Sequence, residues 1–369
     1  MLAQLLLSCL LLLLVAYIRR RREMRAFDPA IAQPLPAHLH VDAVEAFLER
    51  REAAVAPLRP GTRSTVTWEP SARHQQARLC VVFLHGWSAS PEEIDPVDAE
   101  VASKLGAHLL RYRLTGHGLS PTERSALAMR DEARSRVLRT DASTALALGR
   151  LLGQRVVVIG CSTGGSLASE FIPSNLTTTT LCLFESVMRC AASVWLAAQP
   201  WARESLAAIV LISPAWQVAK FGTWMYNLLK WPLILAPRPI ARNLMHALAG
   251  PTIRHNVNLS VEKEHARVWT HKYPSDCALN AIEIYCAVDV CLDCRTVQVP
   301  VLAFANPSDK TVCFHATKRK IRRMPAAVLE IINGSENSHV ITGRLKSPST
   351  VPYFTARIID FVTASTQKV

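Results

Sequence analysis

Residues 155–165, Arg-Val-Val-Val-Ile-Gly-Cys-Ser-Thr-Gly-Gly, constrain the fold more than any other stretch of the chain. The unbroken apolar run Val156–Ile159 reads as a short strand buried on both faces, as in a parallel sheet covered by helices on both sides. The run passes directly into Gly160-Cys161-Ser162-Thr163-Gly164, a G-x-S-x-G pentad, and Gly165-Ser-Leu-Ala-Ser-Glu-Phe171 has the residues to begin a helix. That strand–turn–helix context gives the pentad meaning. A serine at such a turn is held in strained backbone, and the glycines two before and two after let strand and helix pass without Cβ clashes. Its Oγ then stands above the carboxyl edge of the sheet, at a helix N-terminus that favours developing negative charge. Taken alone, the stretch is also compatible with a glycine-rich turn carrying a surface serine. A base, an acid and an oxyanion hole elsewhere in the chain decide between the two.

The 369 residues suffice for one large α/β domain or two small ones. Residues 26–40, rich in Ala, Pro and His, read as a linker, and Asp42-Ala-Val-Glu45 as a capping box opening a helix to about Ala54. Thr65–Trp68 is β-prone, with Pro70 just beyond, which suits an edge strand. Leu79–Leu84 is a second doubly buried strand and ends in His85-Gly86-Trp87. Pro91 followed by Glu92, Glu93 and Asp95 suits the first turn of a helix reaching about Leu105. His108–Arg113 is a third strand, followed by the tight loop Thr115-Gly-His-Gly118, and Asp131–Leu152 is a helix leading into the elbow strand. Strands alternating with helices over short loops predict a parallel sheet wound by helices. Later strands fit Leu206–Ser213, Val299–Ala305 and Ala327–Asn333, with a last amphipathic helix over Val351–Val362. Residues 172–205 interrupt this rhythm with a candidate extra helix, and residues 218–295 hold apolar helical stretches, tryptophans and prolines without strand rhythm.

A neutral serine becomes an effective nucleophile when a histidine takes its proton and a carboxylate orients that histidine. Both partners belong on loops at the carboxyl ends of later strands. Asp309 lies four residues past the 299–305 strand, in Asn306-Pro-Ser-Asp-Lys310. His339 follows the 327–333 strand, in Asn337-Ser-His-Val340. The other role open to Asp309 is a helix N-cap before Thr311–Arg322, and one residue can fill both; the other reading of His339 is a solvated loop histidine. His315 is a rival base, but it falls within that helix. No Asp or Glu immediately follows the 206–213 strand, which removes the usual alternative position for the acid.

With Leu84-His-Gly-Trp87, Arg113-Leu-Thr-Gly-His-Gly118, Gly160-Cys-Ser-Thr-Gly164, Asp309-Lys-Thr-Val312 and Ser338-His339 in that order, the chain resembles an α/β-hydrolase of the monoglyceride-lipase and carboxylesterase branch. The resemblance spans roughly residues 60–365 and implies an α/β fold, a mostly parallel central sheet with helices on both faces and a helical cap. It implies Ser162 as nucleophile, Asp309 and His339 as its acid and base, and the backbone N–H groups of Trp87 and Thr163 as the oxyanion hole. His85 and His117 match structural histidines of the family's loops, and Cys161 is expected to pack into the sheet. No metal or organic cofactor is called for. The expected division is an anchor at 1–25, a linker and helix at 26–60 and the hydrolase domain at 61–365, with the insertion at 172–205 and the cap at 218–295. Within the cap, Phe221–Leu235 is aromatic and apolar, either a lid over an acyl pocket or plain core, and too interrupted by Lys230 and Pro232 for a second membrane span.

Residues 2–18 are almost wholly apolar, and at about 1.5 Å per residue they are at the short end for a bilayer span. No Lys or Arg precedes them and Arg19–Arg22 follow at once, the reverse of a cleaved signal peptide. The expectation is a signal-anchor, with the positive-inside rule keeping Arg19–Arg22 and the domain behind them on the cytoplasmic side. The sequons at Asn175, Asn258 and Asn333 pull the other way, whereas free-thiol usage favours the cytoplasm. The net charge of +13 includes arginines at 19, 20, 21, 22 and 25, and no comparable basic run interleaves with aromatics. A juxtamembrane cluster is therefore preferred and nucleic acid is not an expected partner. Ten cysteines show no framework spacing, and Cys291-Leu-Asp-Cys294 is a lone CxxC without a second pair, so no zinc is expected. The function expected is a membrane-anchored serine hydrolase acting on lipid-like or other apolar acyl esters. Amidase, peptidase or acyltransferase chemistry on the same residues is the alternative, as is a catalytically silent binding protein. Epoxide hydrolase and dehalogenase chemistry would require a carboxylate where Ser162 stands.

Overall fold

The computed structural model describes residues 11, 14–20, 35–36, 38–55, 57–120, 123–169, 205–219, 223–254, 262–292 and 294–367. At its centre is β4 (Gly153–Cys161), the strand expected from the valine run. On one side of it lie β2 (Ala77–Leu84), β3 (His108–Tyr112) and β1 (Thr65–Thr67). On the other lie β5 (Leu206–Ile212), β8 (Val301–Ala305) and β9 (Ala327–Ile331). The seven strands run in the order β1-β3-β2-β4-β5-β8-β9, all neighbours parallel except β1 against β3. The chain steps one way from β2 to β3 and the other way from β4 onward, so the order reverses between β2 and β4. A crevice at the carboxyl ends of the strands is expected at such a switch point.

The alternation along β4 explains why it is apolar throughout. Val156 and Val158 face one core with Leu138, Leu146 and Leu148 of α4 (Ser135–Leu152). Val157 and Ile159 face the opposite core with Val97 and Val101 of α2 (Val97–Lys104) and Phe354 and Ile358 of α11 (Val351–Gln367). Both faces are dry, so a strand with period-2 side chains needs an apolar residue at every position. Each such side chain contributes about 1.5–3 kcal/mol on full burial.

Several local expectations are corrected. The capping box at Asp42 does not form: Val41–Ala43 is a 3-10 turn, α1 (Val44–Ala53) starts after it, and neither helix start carries a side-chain cap. The helix expected from Pro91 begins only at Val97, because Ser90–Pro96 makes successive tight turns and Pro96, with no N–H to donate, occupies the N-cap. The helix expected over 131–152 is α4, preceded by a separate α3 (Glu123–Asp131). In the 218–295 region, α6 (Thr223–Leu235), α7 (Arg238–Ala249), α8 (Glu262–Val268) and α9 (Ala278–Cys291) are joined by a small antiparallel pair, β6 (Thr252–Arg254) with β7 (Lys272–Pro274), which the sequence reading lacked. Tyr226, Leu233, Met245, Leu279 and Ile282 give α6, α7 and α9 a core of their own. Of the 172–205 insertion only Ser205 is described. Most of the proposed anchor, including residues 1–10 and Arg21 and Arg22, also lies outside the described residues, among which no helix is long and apolar enough to cross a membrane.

Candidate active site

Ser162 ends β4 and precedes α5 (Thr163–Ser169), with φ of +50°. That left-handed conformation is uncommon for a non-glycine residue. The turn is held by Ser162 N–H donating to Ile212 O at 2.9 Å and by Ala215 N–H donating to Ser162 O at 3.0 Å. A Cβ on Gly164 would stand 2.0 Å from Leu84 O, and one on Gly160 2.4 Å from Gly164 O. Both glycines are therefore required for α5 to pass against β2 and β4.

His339 Nε2 lies 3.0 Å from Ser162 Oγ, and its Nδ1 lies 2.8 Å from Asp309 Oδ2. With the Nδ1 proton directed at Asp309, Nε2 faces the serine hydroxyl as acceptor. Asn337 Oδ1 accepts the N–H groups of His339 at 2.9 Å and Val340 at 2.8 Å and fixes that loop. Asp309 Oδ1 accepts from the N–H of Thr311 at 2.7 Å and of Val312 at 3.0 Å. These belong to the turn before α10 (Phe314–Ile321) and not to its first turn, so Asp309 organises a loop where a helix cap was the alternative. The rival, His315, is exposed on α10. Burial lowers the pKa of His339, but the charge and hydrogen bond of Asp309 outweigh it, with a further contribution from Glu93, and the net shift is upward.

The expected oxyanion donors sit at the two strand ends that meet at the switch point. Trp87 follows β2 and lines a cavity with Ser162 and His339, and Thr163 opens α5 with its Oγ1 2.9 Å from Tyr285 OH of α9. His85 donates from Nδ1 to Gly86 O at 2.9 Å and accepts Leu114 N–H on Nε2 at 3.0 Å, tying the β2 loop to the β3 loop. His117 packs edge-on against Trp87 with ring centroids 5.2 Å apart. Burial pulls both histidines down, His117 to about 4, so both are neutral supports. Cys161 is buried as a free thiol, as is Cys80, and Cys313 is buried too.

Sequence reading missed one residue of the site. Glu93, assigned there to a helix first turn, is buried and accepts Gly86 N–H on Oε2 at 2.6 Å. The cavity is about 430 Å³ in volume, and the cap gives it an apolar wall: Met225, Leu229 and Leu233 of α6, Met245 of α7, and Ile282 of α9. Among the described residues no group of His, Cys, Asp or Glu could hold a metal ion.

A mostly parallel, doubly wound sheet with a strand–serine–helix elbow at its switch point defines the α/β-hydrolase fold. The family model for the alpha/beta hydrolase family matches residues 81–344, and the chain belongs to that family. Its fold is similar to that of the metagenome-derived lipolytic enzymes LipS and LipT, with a TM-score of 0.56 and 16% identity over 83% of this chain and 99% of the other. It is also similar to a monoacylglycerol lipase from Paleococcus ferrophilus, with a TM-score of 0.51 and 11% identity over 82% and 98%. A soluble variant of monoglyceride lipase from Saccharomyces cerevisiae, solved with a substrate analog, gives a TM-score of 0.50 and 13% identity over 90% and 99%. No curated protein matches the sequence.

Proposed function

We propose that the protein is a membrane-anchored serine hydrolase that cleaves carboxylic esters of lipid-like or other apolar acyl groups. The observation that carries this reading is the hydrogen-bonded series Asp309–His339–Ser162 opening on a largely apolar cavity of about 430 Å³. In the first half-reaction Ser162 Oγ attacks the ester carbonyl while His339 Nε2 takes its proton. Asp309 holds the Nδ1 tautomer and stabilises the imidazolium. The backbone N–H groups of Trp87 and Thr163 receive the oxyanion, a contribution worth about 10²–10³ in rate per donor. His339 then returns the proton to the leaving alcohol, and water attacks the acyl-enzyme with His339 again as base. The apolar wall from α6, α7 and α9 suits an acyl chain, and cavities of about 300–1,000 Å³ are the usual size for small-molecule sites.

Anchoring is supported by the apolar run 2–18 with Arg19–Arg22 behind it. The end of that run contacts the cap, where Tyr17 meets Trp231 edge-on at 4.6 Å and Arg20 pairs with Glu283. The domain behind the arginines then lies on the cytoplasmic side. One experiment tests chemistry and anchoring together: fluorophosphonate labelling of cell fractions after alkaline carbonate extraction. Label is expected in the membrane pellet from wild type and absent from Ser162→Ala. Label that persists in Ser162→Ala removes Ser162 as nucleophile, and wild-type label released to the supernatant removes the anchor.

A further inference from the structure

Glu93 stands beside the nucleophile and takes no part in the acyl-transfer steps above. It is 3% exposed and lines the same cavity as Ser162 and His339. One carboxylate oxygen accepts Gly86 N–H at 2.6 Å. A Cβ on Gly86 would lie 2.9 Å from the other oxygen and 3.1 Å from Ser162 Cβ, so carboxylate and nucleophile flank the same glycine. The Cys161 thiol also meets the Glu93 carboxylate, which therefore touches the ends of both β2 and β4 at the switch point. The other titratable groups facing it are His339, which its charge helps to raise, and Lys346, which burial lowers on balance against the upward pull of Glu93. Cys161 stays a neutral thiol, raised by burial and then by Glu93. A carboxylate this buried is costly unless its charge is used, since an amide could accept the Gly86 N–H as well.

We propose that Glu93 is a second carboxylate of the active site, a positioning residue that fixes the Gly86–Trp87 turn and stabilises the His339 imidazolium. This role rests on the hydrolase reading above. When the Ser162 proton moves to Nε2, positive charge appears on His339, with the Asp309 carboxylate on Nδ1 and the Glu93 carboxylate on the wall of the same cavity. In a dry site such charge pairs act more strongly than in water. Burial pushes Glu93 up to about 7, against the opposing Gly86 hydrogen bond and the charge of His339. Its ionisation therefore falls near neutrality, and the same charge contributes to raising His339. The same raised value has a stability consequence: the contribution of protonated Glu93 is complete below the ordinary glutamate range and is lost as pH rises through about 7.

Glu93→Gln keeps an oxygen for Gly86 N–H and removes the charge. With p-nitrophenyl octanoate as probe, kcat at about pH 8 is expected to fall about tenfold with KM little changed, the equivalent of one pKa unit. The acid limb of kcat/KM is expected to move to lower pH and to fit a single proton throughout, whereas the wild-type limb steepens toward two protons at its acid end, where Glu93 is protonated as well. Relative to wild type, the variant is expected to gain thermal stability as pH rises from about 5 to about 8. An acid limb unchanged in midpoint and slope overturns the proposal, as does a kcat within about twofold of wild type. Should Glu93→Gln not fold, the wild-type limb decides, a single-proton slope counting against the role and a steeper one for it. A wild-type protein without ester turnover overturns the hydrolase reading and this role with it; normal wild-type turnover with an unaltered Glu93→Gln profile overturns only the role of Glu93.

Discussion

His339 experiences opposed influences: burial favours neutral imidazole, and the charge and hydrogen bond of Asp309 favour the cation and prevail. In the proposed reaction the reacting form is the neutral ring, which alone can accept the Ser162 proton. Activity is therefore expected to fall as pH drops through a pKa lying above the ordinary histidine value of about 6.5. Asp309→Asn removes the charge that raises this pKa and no longer specifies the Nδ1–H tautomer. It is expected to lower kcat by about 10³–10⁴ and to move the acid limb toward lower pH. A kcat–pH profile checks both, and a loss smaller than about tenfold would remove Asp309 from the orienting role. Ser162, Asp309 and His339 could be singled out in the sequence because each follows a recognisable strand. Glu93 could not, since an acid two residues after a proline looks the same whether it opens a helix or turns inward. Only the turns ending at Pro96, which delay α2 and point Glu93 at Gly86, tell the two apart.

Helix α6 divides its surface between two environments. Met225, Leu229 and Leu233, spaced four apart, face the cavity, while Trp224 and Leu228 are 69% and 62% exposed. A larger side chain at Leu233 therefore enters the space assigned to an acyl chain without touching Ser162 or His339. Leu233→Trp is expected to lower kcat/KM for p-nitrophenyl octanoate at least tenfold while leaving the acetate ester within about threefold. Loss of burial for two methylenes, about 0.8 kcal/mol each, accounts for that ratio. Equal losses on both esters would mean that the cavity does not hold the acyl chain. At this scale the long, doubly buried strands were legible because β2, β4 and β5 need apolar residues on both faces. The β6–β7 pair was not, because Thr252–Arg254 and Lys272–Pro274 are three residues each and too short to show alternation. The supposed capping box failed for a related reason: Asp42 lies inside a 3-10 turn, one residue before the N-cap position of α1.

Across the whole molecule, buried charges tie the segment before the sheet to the loops around the site. Glu52 of α1 accepts Arg113 Nε at 2.7 Å on one oxygen and Ser64 Oγ at 2.7 Å on the other. Arg113 in turn donates to His117 O at 3.0 Å, and the His117 ring braces Trp87. A second pair runs alongside, with Arg51 donating to Asp141 at 2.9 Å and Asp141 accepting Thr115 N–H at 2.6 Å. The Arg113 and Glu52 side chains are 1% and 2% exposed, so neither can recover its hydration if the other is removed. Desolvation offsets much of the attraction within such a pair, whereas stranding one member costs about 3–5 kcal/mol. Glu52→Ala is therefore expected to lose about 3–5 kcal/mol in urea unfolding at an unchanged slope, and to lose ester turnover as the 113–118 loop relaxes away from Trp87. Arg113→Met added to Glu52→Ala removes the stranded guanidinium and should restore most of that stability, giving a coupling of opposite sign to the single losses. Turnover should recover less, because a thioether in place of the guanidinium has no N–H to donate to His117 O. If the double variant were no more stable than Glu52→Ala, the pair would not be the link that holds α1 to the site, and the cost would have to come from the contacts of Glu52 with Ser64 and Arg51.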